Sequence, residues 1–378
     1  MLSFWETKYF IEYDYIIIGS GIVGLSTACS IKGANPDKSV LVLERGILPT
    51  GASTKNAGFA CYGSAAEILS DINTMGEEKA LWLIEQRYQG LKLLRKRLGD
   101  ENIGYQENGG GEMILHHEEF DISRIDYLNR LVKPIFKNDL FTHNDAKAKE
   151  LGFNSSALKH YIVNNCEGQI DTGLMMRNLL ALAGKLGVTV ITGAEVQYFE
   201  ETNNSVEVNV YHAVLNKTVT FKTAKLAICT NAFTKKLLPH IDLEPGRGQV
   251  IVTKPIEGLK FKGIFHLDEG YYYFRNYGNR ILFGGGRNLD FEGENTDKFE
   301  YNPTIINKLK QHLTELIIPN TPFEVEQEWT GIMAFGKQKL PVIEQVTNKV
   351  VAGVRLNGMG IALGSLVGKQ LSDMLLSD

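Results

Sequence analysis

The sequence predicts an α/β protein of two interleaved domains, one with a parallel sheet carrying an antiparallel meander and one an α+β unit with a mainly antiparallel sheet. Three observations carry that expectation. Residues 13–24, YDYIIIGSGIVG, pass from an apolar strand through a glycine turn into a helix, the entry to a Rossmann-like β-α-β unit. Residues 247–286 hold the β-rich runs GQVIVT, YYYFR and RILFGG between Gly, Asn and Pro, which mark a second sheet. Residues 349–378 read as strand, glycine-rich turn and helix, so the first domain is completed from the far end of the chain. At 378 residues the chain is too long for one ordinary core.

The elements follow in order. Residues 14–19 form a strand, 22–33 a helix and 40–44 a second strand. A long amphipathic helix spans 78–98, because Leu81, Ile84, Tyr88, Leu91, Leu94 and Leu98 recur at steps of three and four. Asp171 or Thr172 caps a helix through Leu186, Gly187 stops it, and 188–191 is a strand. Segments 194–199, 205–212 and 217–222 alternate between turn residues and predict a meander. Residues 226–229 read as a separate buried strand ending at Thr230-Asn231-Ala232.

Composition removes several classes of function. A net charge of -4 supplies no field for nucleic acid or anionic lipid, and Lys92, Arg95, Lys96 and Arg97 read as the solvated face of the long helix. No apolar run is long enough to span a membrane. The N-terminal stretch MLSFWETKYFIEYD lacks the pattern of a signal peptide. Cys29, Cys61, Cys166 and Cys229 form no CxxC pair, and the histidines lack ligand spacing. A reduced cytoplasmic setting, no metal, no nucleic-acid partner and a small-molecule substrate are the expectations.

Chemistry first becomes visible at the glycine turn. Gly19, Gly21 and Gly24 stand where a backbone must turn tightly and meet a pyrophosphate at a helix N-terminus, with Ile22 and Val23 contributing main chain. Glu44, followed by Arg45, ends the next strand, where a carboxylate accepts hydrogen bonds from ribose hydroxyls and repels a 2′-phosphate.

Downstream, TGASTKNAGFACYGS, GQIDTG, CTNAF, PGRGQVIV, YYYFR, ILFGGGR and RLNGMGIALGSLVG occur in sequence. With the glycine turn they resemble the superfamily of FAD-dependent oxidoreductases that contains D-amino-acid oxidase, glycine oxidase and sarcosine oxidase, across nearly the whole chain. The resemblance implies FAD as cofactor. It places Gly51, Ala52, Ser53, Asn56, Ala57 and Gly58 around phosphate and ring, with Lys55 facing either. It adds the backbone of Val196 near adenine, Thr230 and Asn231 after the third strand, and Gly331 in the Trp-Thr-Gly strand end. Asn357, Gly358, Met359, Gly360 and Ile361 would close over the flavin and favour the charge that develops on reduction. The implied division gives 1–82, 151–235 and 331–378 to the FAD-binding domain, and 83–150 and 236–330 to the substrate domain. The implied reaction passes a hydride from an amine-bearing carbon to flavin N5, leaving an imine that water hydrolyses.

The substrate end departs from the resemblance. Met333 stands where amino-acid oxidases of this group carry an arginine for the substrate carboxylate, residues 336–338 replace the usual Thr-Pro-Asp, and Asn357 replaces a frequent histidine. Arg275, Arg287 and Arg355 are the candidate replacements. Tyr271 and Tyr273 share a strand face and line a pocket or pack as ordinary aromatics. Cys61 is a covalent flavin anchor or a small buried thiol. Amine or amino-acid oxidation leads. A 2-hydroxy acid or a larger amine-bearing substrate, and a flavin-binding assembly protein without turnover, are the alternatives.

Overall fold

Strand Glu12–Ile18 is the axis of the first sheet, and its residues divide between two cores. Tyr15 and Ile17 pack towards helix Ile22–Ala34, while Ile16 and Ile18 pack towards the opposite face. A strand covered on both sides must be apolar at every position, which is why YIII does not alternate. The computed structural model describes residues 1–377. Its first sheet runs in the order Val342–Gln345, Val350–Val354, Lys217–Ile228, Glu12–Ile18, Val40–Leu43 and Thr189–Ile191. All neighbours are parallel except the first pair.

The meander forms from Val196–Glu201, Val206–His212 and the first part of Lys217–Ile228. The separate strand expected at 226–229 is the continuation of the meander's last strand. Residues 217–223 pair antiparallel with Val206–His212, and residues 222–228 pair parallel with Glu12–Ile18. No turn residue interrupts FKTAKLAI, so one strand passes from the edge of the sheet to its centre. Helix Thr172–Lys185 begins as expected, with the Asp171 side chain accepting from Leu174 N at 2.8 Å.

The second sheet has the order Val325–Phe335, Glu244–Thr253, Arg280–Gly285, Tyr272–Tyr277, Ile264–Leu267, Gly110–Leu115, Leu158–Asn164 and Phe141–His143. It is antiparallel apart from the pairing of Ile264–Leu267 with Gly110–Leu115. Phe153, Phe261, Phe265 and Phe274 form its aromatic core, with Phe265 and Phe274 stacked at 4.9 Å. Leu158–Asn164 lies here and not with the first sheet, because its partners are Gly110–Leu115 and Phe141–His143. Helix Glu77–Leu98 packs on the C-terminal helix: Gly90 brings its backbone against Ala362, leaving no room for a Cβ.

That C-terminal helix, Gly360–Leu376, also crosses Ile22–Ala34 at close range. A Cβ on Gly368 would lie 2.7 Å from Val23 O and 2.6 Å from Ser26 Cβ. Among the described residues, no helix is long and apolar enough to cross a membrane.

The crossing gives a test with an internal control. Gly368→Ala is expected to destabilise the protein by about 1–3 kcal/mol through overpacking, read as a lower urea midpoint. Gly184→Ala, where nothing lies within 4 Å of the added carbon, is expected to stabilise by about 0.5–1 kcal/mol through helix propensity.

Candidate functional site

One cavity of about 590 Å³ runs from the glycine turn of the first sheet to the face of the second. At the first end the strand Glu12–Ile18 delivers Gly19 with φ 104, and a Cβ there would meet Cys229 O at 2.7 Å. Gly21 caps helix Ile22–Ala34 in extended conformation and lines the cavity. Ile22 N donates to Ser53 Oγ at 3.0 Å, and the first-turn amides of Val23 and Gly24 have no acceptor within the helix. Glu44 is buried, its carboxylate fixed by Ser20 N at 3.0 Å, Ser20 Oγ at 2.8 Å and Gly46 N at 2.9 Å. These partners are neutral, so its charge remains available to hydroxyl donors. Arg45 lies 3.5 Å over the Phe233 ring, and both line the cavity beside Ala194 and Val196.

The middle is built by segment 51–59. Short helix Ala52–Lys55 is held by Asn56, whose Nδ2 donates to Ala52 O and Ser53 O while Oδ1 accepts from Gly58 N and Thr172 Oγ1. Gly51, Ala52, Ser53, Lys55, Asn56 and Ala57 line the cavity, as do Thr230, Asn231 and Gly331. Across from them come Asn357 with φ 50, Gly358 with φ 82, then Met359, Gly360 and Ile361 entering the last helix.

At the far end the contacts close into a ring. The Arg287 guanidinium lies 4.3 Å from the centre of the Phe335 ring and 5.1 Å from that of Phe291, which meets Tyr271 edge-on at 5.8 Å. Next to Tyr271, a Cβ on Gly270 would lie 3.9 Å from Glu67 Oε2. Asp71 follows one turn along helix Ala65–Met75, with Oδ1 2.6 Å from Lys339 Nζ. Lys339 O accepts from Asn357 Nδ2 at 2.8 Å. Met333 approaches Gly358 and stands two residues before Phe335 on one strand, closing the circle. Tyr273, on the floor, has its phenol pushed up to about 12 by burial and stays neutral at ordinary pH.

Several expected residues take other work. Arg275 is buried and spent on the main chain: its guanidinium donates to Ala57 O, to Ile170 O at 3.0 Å and to Asn276 O at 3.2 Å. Arg355 bonds Asp242 Oδ2 at 2.7 Å and Leu340 O at 3.1 Å. Neither lines the cavity, so of the three candidate arginines only Arg287 reaches it. Gly24 and Gly58 also lie behind the lining. A Cβ on Gly24 would collide with Gly19 O, and one on Gly58 with Ile170 O, so both permit close packing. Cys61 lines the cavity as a buried thiol raised well above its usual pKa by burial, with Sγ 3.9 Å from Met359 Sδ.

Sequence reasoning passed over Glu67, His266, Glu269, Lys339, Phe233 and Phe335, all of which line the cavity. They come from four separate stretches of chain, at 67, 233, 266–269 and 335–339; only Phe335 and Lys339, on either side of the altered turn at 336–338, carried a signal. The chain-spacing criterion also missed a buried convergence of Cys61, Glu167 and His266, whose ligand atoms lie within 4.8 Å of one another. There His266 Nε2 faces Glu167 Oε2 at 3.5 Å. Burial opposes the imidazolium most strongly, but Glu167, Glu112 and Glu67 together outweigh it and raise the His266 pKa.

The implied FAD fits these residues. A glycine-capped helix start suits a diphosphate, a lone fixed carboxylate suits ribose, and the Arg45–Phe233 pair offers a flat surface beside them. Gly21→Val is expected to weaken FAD binding at least tenfold and give a pale protein, since the new side chain meets Ser53 and enters the cavity. Stoichiometric FAD in that variant, measured by absorbance after purification, would refute the placement.

Comparison with known proteins agrees with that fit. A model of the family described as FAD dependent oxidoreductase matches residues 14–374. The chain is 23% identical over 399 residues to Probable oxidoreductase OrdL of Haemophilus influenzae, covering 97% of this chain and 83% of that protein. Glycine oxidase from Geobacillus kaustophilus superposes with a TM-score of 0.76 at 18% identity, covering 97% of this chain and 95% of that one. L-proline dehydrogenase from P. horikoshii gives 0.76 at 16% identity, covering 97% and 94%. A family match across almost the whole chain, on a site shaped for the same cofactor, means that the protein belongs to the FAD dependent oxidoreductase family and is a flavoenzyme.

Proposed function

We propose that the protein oxidises a C–N bond in an amine or amino acid whose anionic group is seated on Arg287. The observation that carries this reading is the state of that guanidinium. Its Nε is buried without an acceptor, its Nη2 reaches only Asn295 Oδ1 at 3.4 Å, and burial lowers its pKa. A half-desolvated arginine facing a cavity gains most from a carboxylate, which supplies paired acceptors in the plane of its donors. Phe335 and Phe291 hold that plane.

Bound FAD supplies the two-electron acceptor. The protein's share is position and water exclusion. Met333, Phe335 and Tyr273 supply apolar walls, and Tyr271, at the rim, screens the entrance. The neutral Tyr273 phenol donates a hydrogen bond without adding charge beside the reacting amine. Glycine oxidase and L-proline dehydrogenase, by their names, act on amino acids, which supports the C–N reading.

Anaerobic mixing with a panel of amines, amino acids and 2-hydroxy acids is expected to bleach the flavin with members of the first two groups. Bleaching by 2-hydroxy acids alone would overturn the C–N assignment. Arg287→Met is expected to raise KM for carboxylate-bearing amines by about 10–100-fold, the loss of a charge-assisted pair of about 1.5–3 kcal/mol, while the protein stays yellow. An unchanged KM would exclude Arg287 as the anion seat.

A further inference from the structure

The ring around the cavity mouth is electrically divided. Arg287 occupies one pole, and Glu294, the carboxylate that acts on it, is held by Arg247 at 2.7 Å. The opposite pole, reached around the ring through Tyr271 on one side and Met333 on the other, is acidic. Glu67 and Glu269 line the cavity there together with Lys339 and His266, and Asp71, Glu112, Glu167 and Arg87 are packed behind them. Five carboxylates meet three cations, leaving two negative charges in excess when all are ionised. Burial pushes the Glu112 carboxyl up to about 6, and burial together with Glu67 raises that of Asp71, so the full excess is present only where both have lost their protons. Glu67 is held ionised against burial by Arg87, Lys339 and His266.

A second observation is conformational. Asp268 and Glu269, neither of them glycine, are both left-handed with φ 52. Two such residues in succession cost on the order of 1 kcal/mol each, and the turn they make sets Glu269, exposed, at the cavity mouth.

The acidic pole is poorly suited to the amine that reacts. Carboxylates beside an amine keep it protonated, and an ammonium has no lone pair to assist oxidation at its carbon. They suit an amine that remains charged throughout. Resting on the C–N reading, we infer that the substrate carries, besides the oxidised amine, one anionic group and a second ammonium group: it is a diamino carboxylate, spanning from Arg287 to the Glu67–Glu269 wall.

The test uses the FAD-loaded protein and four kinds of probe, each enantiomer separately where chiral. Lysine and ornithine have both charges; norleucine lacks the distal amine, 6-aminohexanoate lacks the second amine, and cadaverine lacks the carboxylate. Binding is read as perturbation of the flavin absorbance, and reduction separately as anaerobic bleaching. Lysine or ornithine is expected to bind at least tenfold more tightly than any of the three truncated probes. Glu269→Gln is expected to weaken lysine and cadaverine three- to tenfold and leave norleucine unchanged. This exposed position is chosen because a change at Glu67 would strand the buried Arg87. Norleucine binding as tightly as lysine, or a Glu269→Gln effect equal for both, would overturn the inference. Selective binding of lysine without bleaching by any amine would support the two-pole site and sink the C–N reading, whereas equal bleaching and binding by norleucine would do the reverse.

Discussion

The site depends on how closely the last helix can approach helix Ile22–Ala34. Gly364 and Gly368 lay Gly360–Leu376 against Ile22 and Ser26 of Ile22–Ala34, with Ser26 and Ser365 hydroxyls 3.3 Å apart between them. Both helices start at the cavity, one after Gly21 and the other after Met359. Their axial separation therefore fixes the spacing between the glycine turn at one end of the cavity and the segment 356–361 that lines it from the other helix. Residues more than three hundred positions apart become one cradle through two missing side chains. Helix Glu77–Leu98, admitted by Gly90 on another side, prevents the last helix from relaxing outward.

The legibility of the site follows from how local each constraint is. The dinucleotide end could be read because strand, glycine turn, helix and acid are consecutive, and each has a backbone reason that leaves a mark in sequence. The structure sharpened the reasons: Gly19 and Gly24 answer to packing against Cys229 and each other, and only Gly21 of the three is both a cap and a wall. Asn56 lines the cavity, and its amide also holds its own segment. The sequence pattern located the segment without resolving which atoms do the binding.

At the other end the same logic fails for a physical reason. Arg275, Arg287 and Arg355 are equivalent as letters, and what separates them is whether their donors meet a carbonyl, a carboxylate or a void. Arg275 points from a strand straight into the carbonyls of Ala57 and Ile170, and Arg355 finds Asp242 across a loop. Both partnerships span more than a hundred residues. The cavity wall was equally hidden, because Glu67, Glu269 and Lys339 converge only when helix Ala65–Met75 meets the turn after Ile264–Leu267 and the connection from Val325–Phe335 to Val342–Gln345.

An arginine at position 333 would have presented its charge from within strand Val325–Phe335. Placing the charge at 287 moves it beyond the end of Arg280–Gly285, after two left-handed glycines with φ 114 and 79. Such a lip must be stiffened if it is to orient a ligand. Gly286 N donates to Tyr271 O at 2.9 Å, and Asn288 Nδ2 to Asp268 Oδ2 at 2.6 Å. Behind it the buried Glu294 joins Arg247, Gln249 and Asn302 at 2.7–3.0 Å. The partner of this lip is the strained turn that carries Glu269. The seat proposed for the anion and one edge of the acidic wall are thus tied to each other by direct hydrogen bonds, so their separation is set by short local links and not by the distance between sheets. A pocket that had only lost its arginine would need no such tie; one that measures the length of a doubly charged molecule would.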